Sequence, residues 1–162
     1  MRGGRPSAHR RLGTLDIVQD TELHATVGER LRAVGQRYTP VRRAVVDVLV
    51  ATARPVSMVE LLDAGSGLAQ SSVYRSLGVL EEAGVVHRML GPDGLARHEL
   101  AEALTEHHHH LVCTSCGTVE DVPASLRLEQ TVARAVAQAA AATGFRPQTH
   151  RLDLVGVCAR CD

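Results

Sequence analysis

Two Cys-x-x-Cys pairs, Cys113-Thr-Ser-Cys116 and Cys158-Ala-Arg-Cys161, stand 41 residues apart in a chain of 162. No other feature constrains the fold as strongly. A two-residue spacer lets both sulfurs of a pair reach one ion while backbone N–H groups turn toward them. Two such pairs supply the four thiolates of a closed tetrahedral Zn²⁺ site. The segment between them is too long for a small zinc ribbon, so the site ties the start of a domain to its end. It is a fold element and does not by itself name a function. The competing reading is a redox dithiol; two pairs flanking a strand–helix–strand pattern favour zinc. The basic N-terminus, Met1 to Arg11, is followed by no apolar stretch and is not a secretory signal. No run of about 18 apolar residues indicates a membrane span. The expected location is the cytoplasm, where cysteines serve metal or redox chemistry more often than disulfides.

The residues ahead of the first pair carry a different pattern. Leu23, Val27, Leu31 and Val34 recur at helical spacing. Thr39-Pro40 opens a second helix, with Thr as N-cap and Pro at the first position. Ser57 followed by Glu60 is a capping box for a short third helix, ended by Gly65-Ser66-Gly67. Ser71 or Ser72 is expected to cap a fourth helix that Gly84 stops. Val85 to Leu90 and Leu95 to Leu100, around Gly91-Pro92-Asp93-Gly94, form a hairpin. Helices, a turn and a hairpin in this order make a winged helix-turn-helix. The expectation is an α+β chain: a disordered arm over 1–19, a DNA-binding winged helix over 20–100, a hinge over 101–106, and a small α/β domain with the four-cysteine zinc site over 107–162. That second unit reads as a strand near Thr118 to Val122, an Ala-rich helix from Leu126 to Thr143 ended by Gly144, and a strand within Thr149 to Val157.

In a helix-turn-helix the second helix of the motif enters the major groove. Here its leading residues are Gln70, Ser71, Ser72, Tyr74 and Arg75. Gln can pair with adenine and Tyr can lie against a thymine methyl, whereas Arg75 is read as a backbone contact. Arg42 and Arg43 sit near phosphate or are satisfied within the protein. Charge neither demands nor excludes such a partner: the formal net charge is zero and every basic residue is Arg. Arg suits phosphate and guanine, but the codon usage of a GC-rich genome explains the bias as readily.

Four consecutive histidines, His107 to His110, stand directly before Leu111-Val112-Cys113. An internal run is not a purification tag, and a solvated loop is the plain alternative. On a strand, side chains alternate between faces. His108 and His110 then serve one site and His107 and His109 another. Imidazoles two residues apart can share Zn²⁺, Ni²⁺ or Fe²⁺.

The chain resembles the ferric uptake regulator superfamily, most closely its zinc-uptake branch. The resemblance rests on Tyr38-Thr39-Pro40-Val41-Arg42, on Ser72-Val73-Tyr74-Arg75-Ser76-Leu77, on His107 through Gly117, and on His150 with Gly156-Val157-Cys158. It implies a homodimeric winged-helix repressor, dimerising through its second domain. Such a repressor binds an inverted-repeat operator in double-stranded DNA when loaded with divalent metal, and controls metal-uptake genes. Cys113, Cys116, Cys158 and Cys161 match structural zinc ligands, one ion per chain. His108 and His110 match the sensing pair, and His107, His109 and His150 a further site whose fourth ligand falls nearest Glu129. Sensing in the family needs ligands from the DNA-binding side. His87 and His98 resemble such positions in the zinc branch, and Glu99 matches a carboxylate of iron-type members. The His that iron and nickel members place before the third helix is missing from Arg54-Pro55-Val56-Ser57. The resemblance therefore implies zinc as effector, with nickel, iron or peroxide as the alternative within the superfamily. His87 and His98 as a surface pair of the wing is the plain alternative for those residues. A zinc-storage or zinc-delivery protein, and a thiol oxidoreductase, are the readings from other classes.

Overall fold

The computed structural model of the protein describes residues 14–65 and 67–162. Residues 1–13 of the expected arm, and Ser66 of the expected turn, lie outside them. From Thr14 the chain is already helical, so the first helix starts earlier than residue 20. The elements are α1 (Thr14–Ala33), α2 (Pro40–Thr52), β1 (Val56–Ser57), α3 (Met58–Ala64), α4 (Gln70–Glu82), β2 (Val86–Leu90) and β3 (Ala96–Leu100). After a single 3₁₀ turn at Glu102–Leu104 come β4 (His108–Cys113), β5 (Val119–Pro123), α5 (Leu126–Thr143) and β6 (Asp153–Gly156).

Local chemistry explains most of these boundaries. Thr39 Oγ1 accepts from the Arg42 amide at 3.4 Å, and Pro40 occupies the first helical position of α2. Ser57 and Glu60 close a reciprocal capping box on α3, with Glu60 Oε2 accepting from the Ser57 amide at 2.8 Å. The start of α4 differs from expectation. Ala69 is its N-cap and makes no side-chain bond, so Ser71 and Ser72 lie in the first turn rather than at the cap. Gly84, at φ +64°, ends the segment after α4. There the Val85 amide donates to Leu80 O at 2.8 Å, satisfying one of the helix's orphan carbonyls.

The first sheet has the order β1-β3-β2, and the second β5-β4-β6. β1 is only two residues long, too short for any periodicity, and adds itself to the wing hairpin through Val56 opposite His98. The core of the N-terminal half is aliphatic: Val27, Leu31, Val45, Val46, Leu61, Val73 and Leu80 are fully buried. Truncating one of these leucines to Ala would cost roughly 2–5 kcal/mol. In the C-terminal half β4 is central, antiparallel to β5 and parallel to β6. Ser125 caps α5, and Gly144 ends it at φ +70°. No described residue of α5 is buried, and every residue of β6 is exposed. This half therefore leaves apolar surface open in a single chain.

Candidate metal centres

The cysteines meet because β4 and β6 run parallel. Their register sets Cys113, the last residue of β4, beside Gly156, the last of β6; Cys116 follows in the turn after β4, and Cys158 and Cys161 in the segment after β6. The four Sγ atoms lie within 4.8 Å of one another, and Cys116 Sγ stands 3.8 Å from Cys158 Sγ. A tetrahedron with Zn–S bonds of ~2.3 Å has edges of ~3.8 Å, so the thiols are spaced for an ion and not for a disulfide. Backbone amides of Cys116 and Cys158 pull the Cys113 thiol down to about 6. Hydrogen bonding to Cys116 and Cys158 holds the Cys161 thiol up at about 11. Crowded thiols cannot all ionise alone; a divalent cation removes that conflict.

The second group joins the two halves of the chain. Glu99 comes from β3; His108 and His110 come from one face of β4; Asp121 comes from β5, directly opposite His110. Glu99 Oε2 is 3.0 Å from His110 Nε2 and 3.3 Å from His108 Nε2. Asp121 carboxylate oxygens lie 3.8 Å from each Nε2. These distances bracket the ~3.4 Å edge of a tetrahedron with bonds of ~2.1 Å. The outward nitrogens are tied: His110 Nδ1 donates to Asp153 Oδ1 at 3.1 Å, and His108 Nδ1 to Glu106 O at 2.9 Å. That turns both Nε2 atoms toward the centre, as a ligating imidazole requires. Asp121 Oδ1 is buried without a hydrogen-bond partner. Burial raises the Asp121 carboxyl above its usual range. For Glu99 burial also pushes upward, but bonds and charge from His110 and His108 outweigh it and leave the carboxyl lowered. The residues present therefore fit a divalent cation held by two nitrogens and two oxygens.

The third group is His107, His109, Glu129 and His150. Glu129, in the first turn of α5, reaches all three rings: 2.7 Å to His109 Nε2 and 3.2 Å to His107 Nε2 and His150 Nε2. His109 Nδ1 is buried and makes no hydrogen bond. The other nitrogen of His107 pairs with Glu102.

The wing histidines fall differently. β3 alternates, so Glu99 faces the C-terminal half while His98 turns the other way, with Nε2 3.4 Å from Glu81 Oε1. His98 is thus withdrawn from the hinge group, and burial lowers its pKa. His87 stands opposite Glu99 on β2 with a buried, unpartnered Nε2. It borders the group without being one of its four members. Asp121 is the member that sequence reasoning misses. Its one signal is the short turn between Cys113 and Thr118, which fixes the register that sets Asp121 against His110.

Residues 33–155 match the ferric uptake regulator family. The chain belongs to the ferric uptake regulator family. This is a family of metal-responsive transcriptional regulators. The chain is 31% identical to the peroxide operon regulator of Bacillus subtilis over 139 residues, spanning 82% of this chain and 89% of that protein. The solved ferric uptake regulator of Vibrio cholerae superposes with a TM-score of 0.64 at 29% identity, covering 81% of this chain and 98% of that one. A zinc-bound manganese uptake regulator superposes with a TM-score of 0.63 at 31% identity, covering 84% and 98%.

α4 is the second helix of the helix-turn-helix, the element that in this motif enters the major groove. Gln70, Ser71, Tyr74 and Arg75 are exposed on it, Tyr74 at 72%, and Ser72 is half-buried. Arg75 Nε bonds Ser71 O at 3.2 Å, which leaves the rest of its guanidinium free to face outward. Arg42 is half-buried and engaged with Gln36 Oε1 at 3.1 Å and with the Arg37 carbonyl. Its guanidinium braces the entry to α2.

Proposed function

We propose that this chain is a homodimeric repressor that binds an inverted-repeat operator when a divalent metal occupies Glu99, His108, His110 and Asp121. The observation that carries the reading is the origin of these ligands. Glu99 belongs to the wing of the DNA-binding half, and the other three to the C-terminal sheet. An ion held by both can bias domain orientation, because it binds the closed arrangement better than any open one. Ligands within one domain have nothing to choose between. The exposed faces of α5 and β6, with Leu126 76% and Val155 64% exposed, are the surface that a second copy would cover. Cys113, Cys116, Cys158 and Cys161 hold one structural Zn²⁺, and Gln70, Ser71, Ser72, Tyr74 and Arg75 meet the DNA. His107, His109, Glu129 and His150 hold a further ion.

Zinc is the proposed effector and genes for metal uptake the proposed targets. Two imidazoles and two carboxylates accept Zn²⁺ well. The second reading is Fe²⁺ or Mn²⁺, favoured by the two carboxylates and by the lack of a thiolate in this group. Footprinting on genomic DNA across titrations of Zn²⁺, Mn²⁺ and anaerobic Fe²⁺ tests both. Protection of a two-fold symmetric site that appears with one of these metals supports the function and names the effector. Protection that is equal in chelator and in every metal would overturn it.

A further inference from the structure

A bidentate ion pair at the tip of the wing, its arginine buried, lies against the cysteine knuckle. Arg97 Nη1 and Nη2 bond Asp93 Oδ1 and Oδ2, each at 2.9 Å, and the Arg97 side chain is only 7% exposed. Two glycines lie against the guanidinium: Gly91 of its own hairpin, and Gly117, the residue after Cys116. A Cβ placed on Gly117 would fall 2.6 Å from Asp93 Oδ2 and 2.7 Å from Arg97 Nη2, and the residue sits at φ +71°. The positive φ favours glycine, and any side chain there would push the Asp93–Arg97 pair away from the knuckle.

We propose that the Asp93–Arg97 pair docks the wing onto the cysteine knuckle and thereby holds Glu99 within reach of His108 and His110. Arg97 and Glu99 are two residues apart on β3, so their side chains leave the same face about 7 Å apart. One contacts the knuckle and the other the hinge group, and a paired strand transmits position between them with little loss. Electrostatics act in the same sense. An ion held by four thiolates leaves net negative charge on the knuckle, and Arg97 is always cationic. A buried guanidinium is tolerable only when its donors and charge are met; Asp93 and the knuckle meet them together. Apparent metal affinity at the hinge scales with the fraction of molecules already closed. Arg97 and Asp93 are therefore positioning residues for a metal that neither touches.

The inference rests on the hinge reading above, and the test separates the two. Full-length protein with its structural zinc in place is titrated with Co²⁺ and followed by its visible absorption, in a His150→Ala background that disables the second histidine group. Glu99→Gln is the control. Arg97→Ala and Asp93→Ala are each expected to weaken Co²⁺ binding about tenfold, with the tightly held zinc retained. A role confined to wing stability would move Tm and not the Co²⁺ affinity. Should Arg97→Ala lose zinc or fail to fold, Asp93→Ala decides, because Asp93 lies in a partly exposed turn. Affinity within twofold of the parent in Asp93→Ala, with Glu99→Gln weakened, overturns the docking and leaves the hinge reading standing. Unchanged affinity in Glu99→Gln removes the hinge reading and the docking with it.

Discussion

Glu99 and His110 meet across the boundary between the two halves of the chain, with Oε2 3.0 Å from Nε2. They are eleven residues apart in sequence and lie on different sheets. A link of this kind makes relative domain position depend on what sits between the two atoms: a proton in the absence of metal, or an ion bridging both.

Removing the carboxylate should uncouple metal from DNA. Glu99→Gln is expected to abolish the zinc stimulation of operator binding while the zinc of the four cysteines stays bound. Asp153→Ala, which loses the acceptor behind His110 Nδ1, should weaken hinge metal affinity by about 10- to 100-fold. His87→Ala, beside the group but outside it, should do less than either. Operator binding by fluorescence anisotropy across a zinc titration orders the three variants; a His87→Ala effect larger than that of Glu99→Gln would reverse the ligand assignment.

Acid should oppose metal at this site. The hydrogen bond with Glu99 raises the His110 pKa above its ordinary value near 6.5, against the downward pull of burial. Because the folded pKa is the higher one, the protonated pair stabilises the metal-free closed form fully below about 6.5 and fades as pH rises through the raised value. Metal binding must displace that proton. Hinge affinity should therefore climb between pH 6 and pH 8, by up to about tenfold per unit while His110 remains protonated. Isothermal titrations at several pH values should also register proton release; a pH-independent affinity contradicts the His110 role.

Breaking the knuckle should cost the fold. Cys158→Ser removes one of the four thiolates while leaving the backbone amide that donates to Cys113 Sγ at 3.4 Å. Structural zinc contributes its binding energy to folding, so the variant should lose its metal, lower Tm, and dissociate. Sedimentation and metal analysis check this together. A zinc-free protein that remains dimeric and melts like the parent would dispose of the structural role.

Contacts on α4 should split by kind. Arg75→Ala should weaken all DNA sequences about equally and reduce the salt slope by about one, as loss of a phosphate contact does. Tyr74→Ala should weaken the operator more than random DNA. Arg42→Ala, whose guanidinium braces Gln36 and the Arg37 carbonyl, should lower Tm rather than flatten the salt slope. Binding isotherms at three salt concentrations distinguish these outcomes.

Much of the molecule is written locally in the sequence. Thr39-Pro40, the Ser57–Glu60 box and Gly144 set helix ends because each acts on amides or carbonyls within a turn of itself. Four thiols in two matched pairs fit zinc wherever the intervening chain goes. The alternation of His107 to His110 separates two faces on any strand, and those faces indeed carry the two groups. What tertiary structure decided is which partners complete them. His98 and Glu99 are neighbours in sequence, and only the orientation of β3 against the C-terminal half turns Glu99 inward and leaves His98 to Glu81. Asp121 depended on hairpin register, and Glu129 on the placement of α5 over β4. Caps and spacings are short-range and additive, whereas a ligand set drawn from three or four segments exists only once register and domain orientation are fixed together.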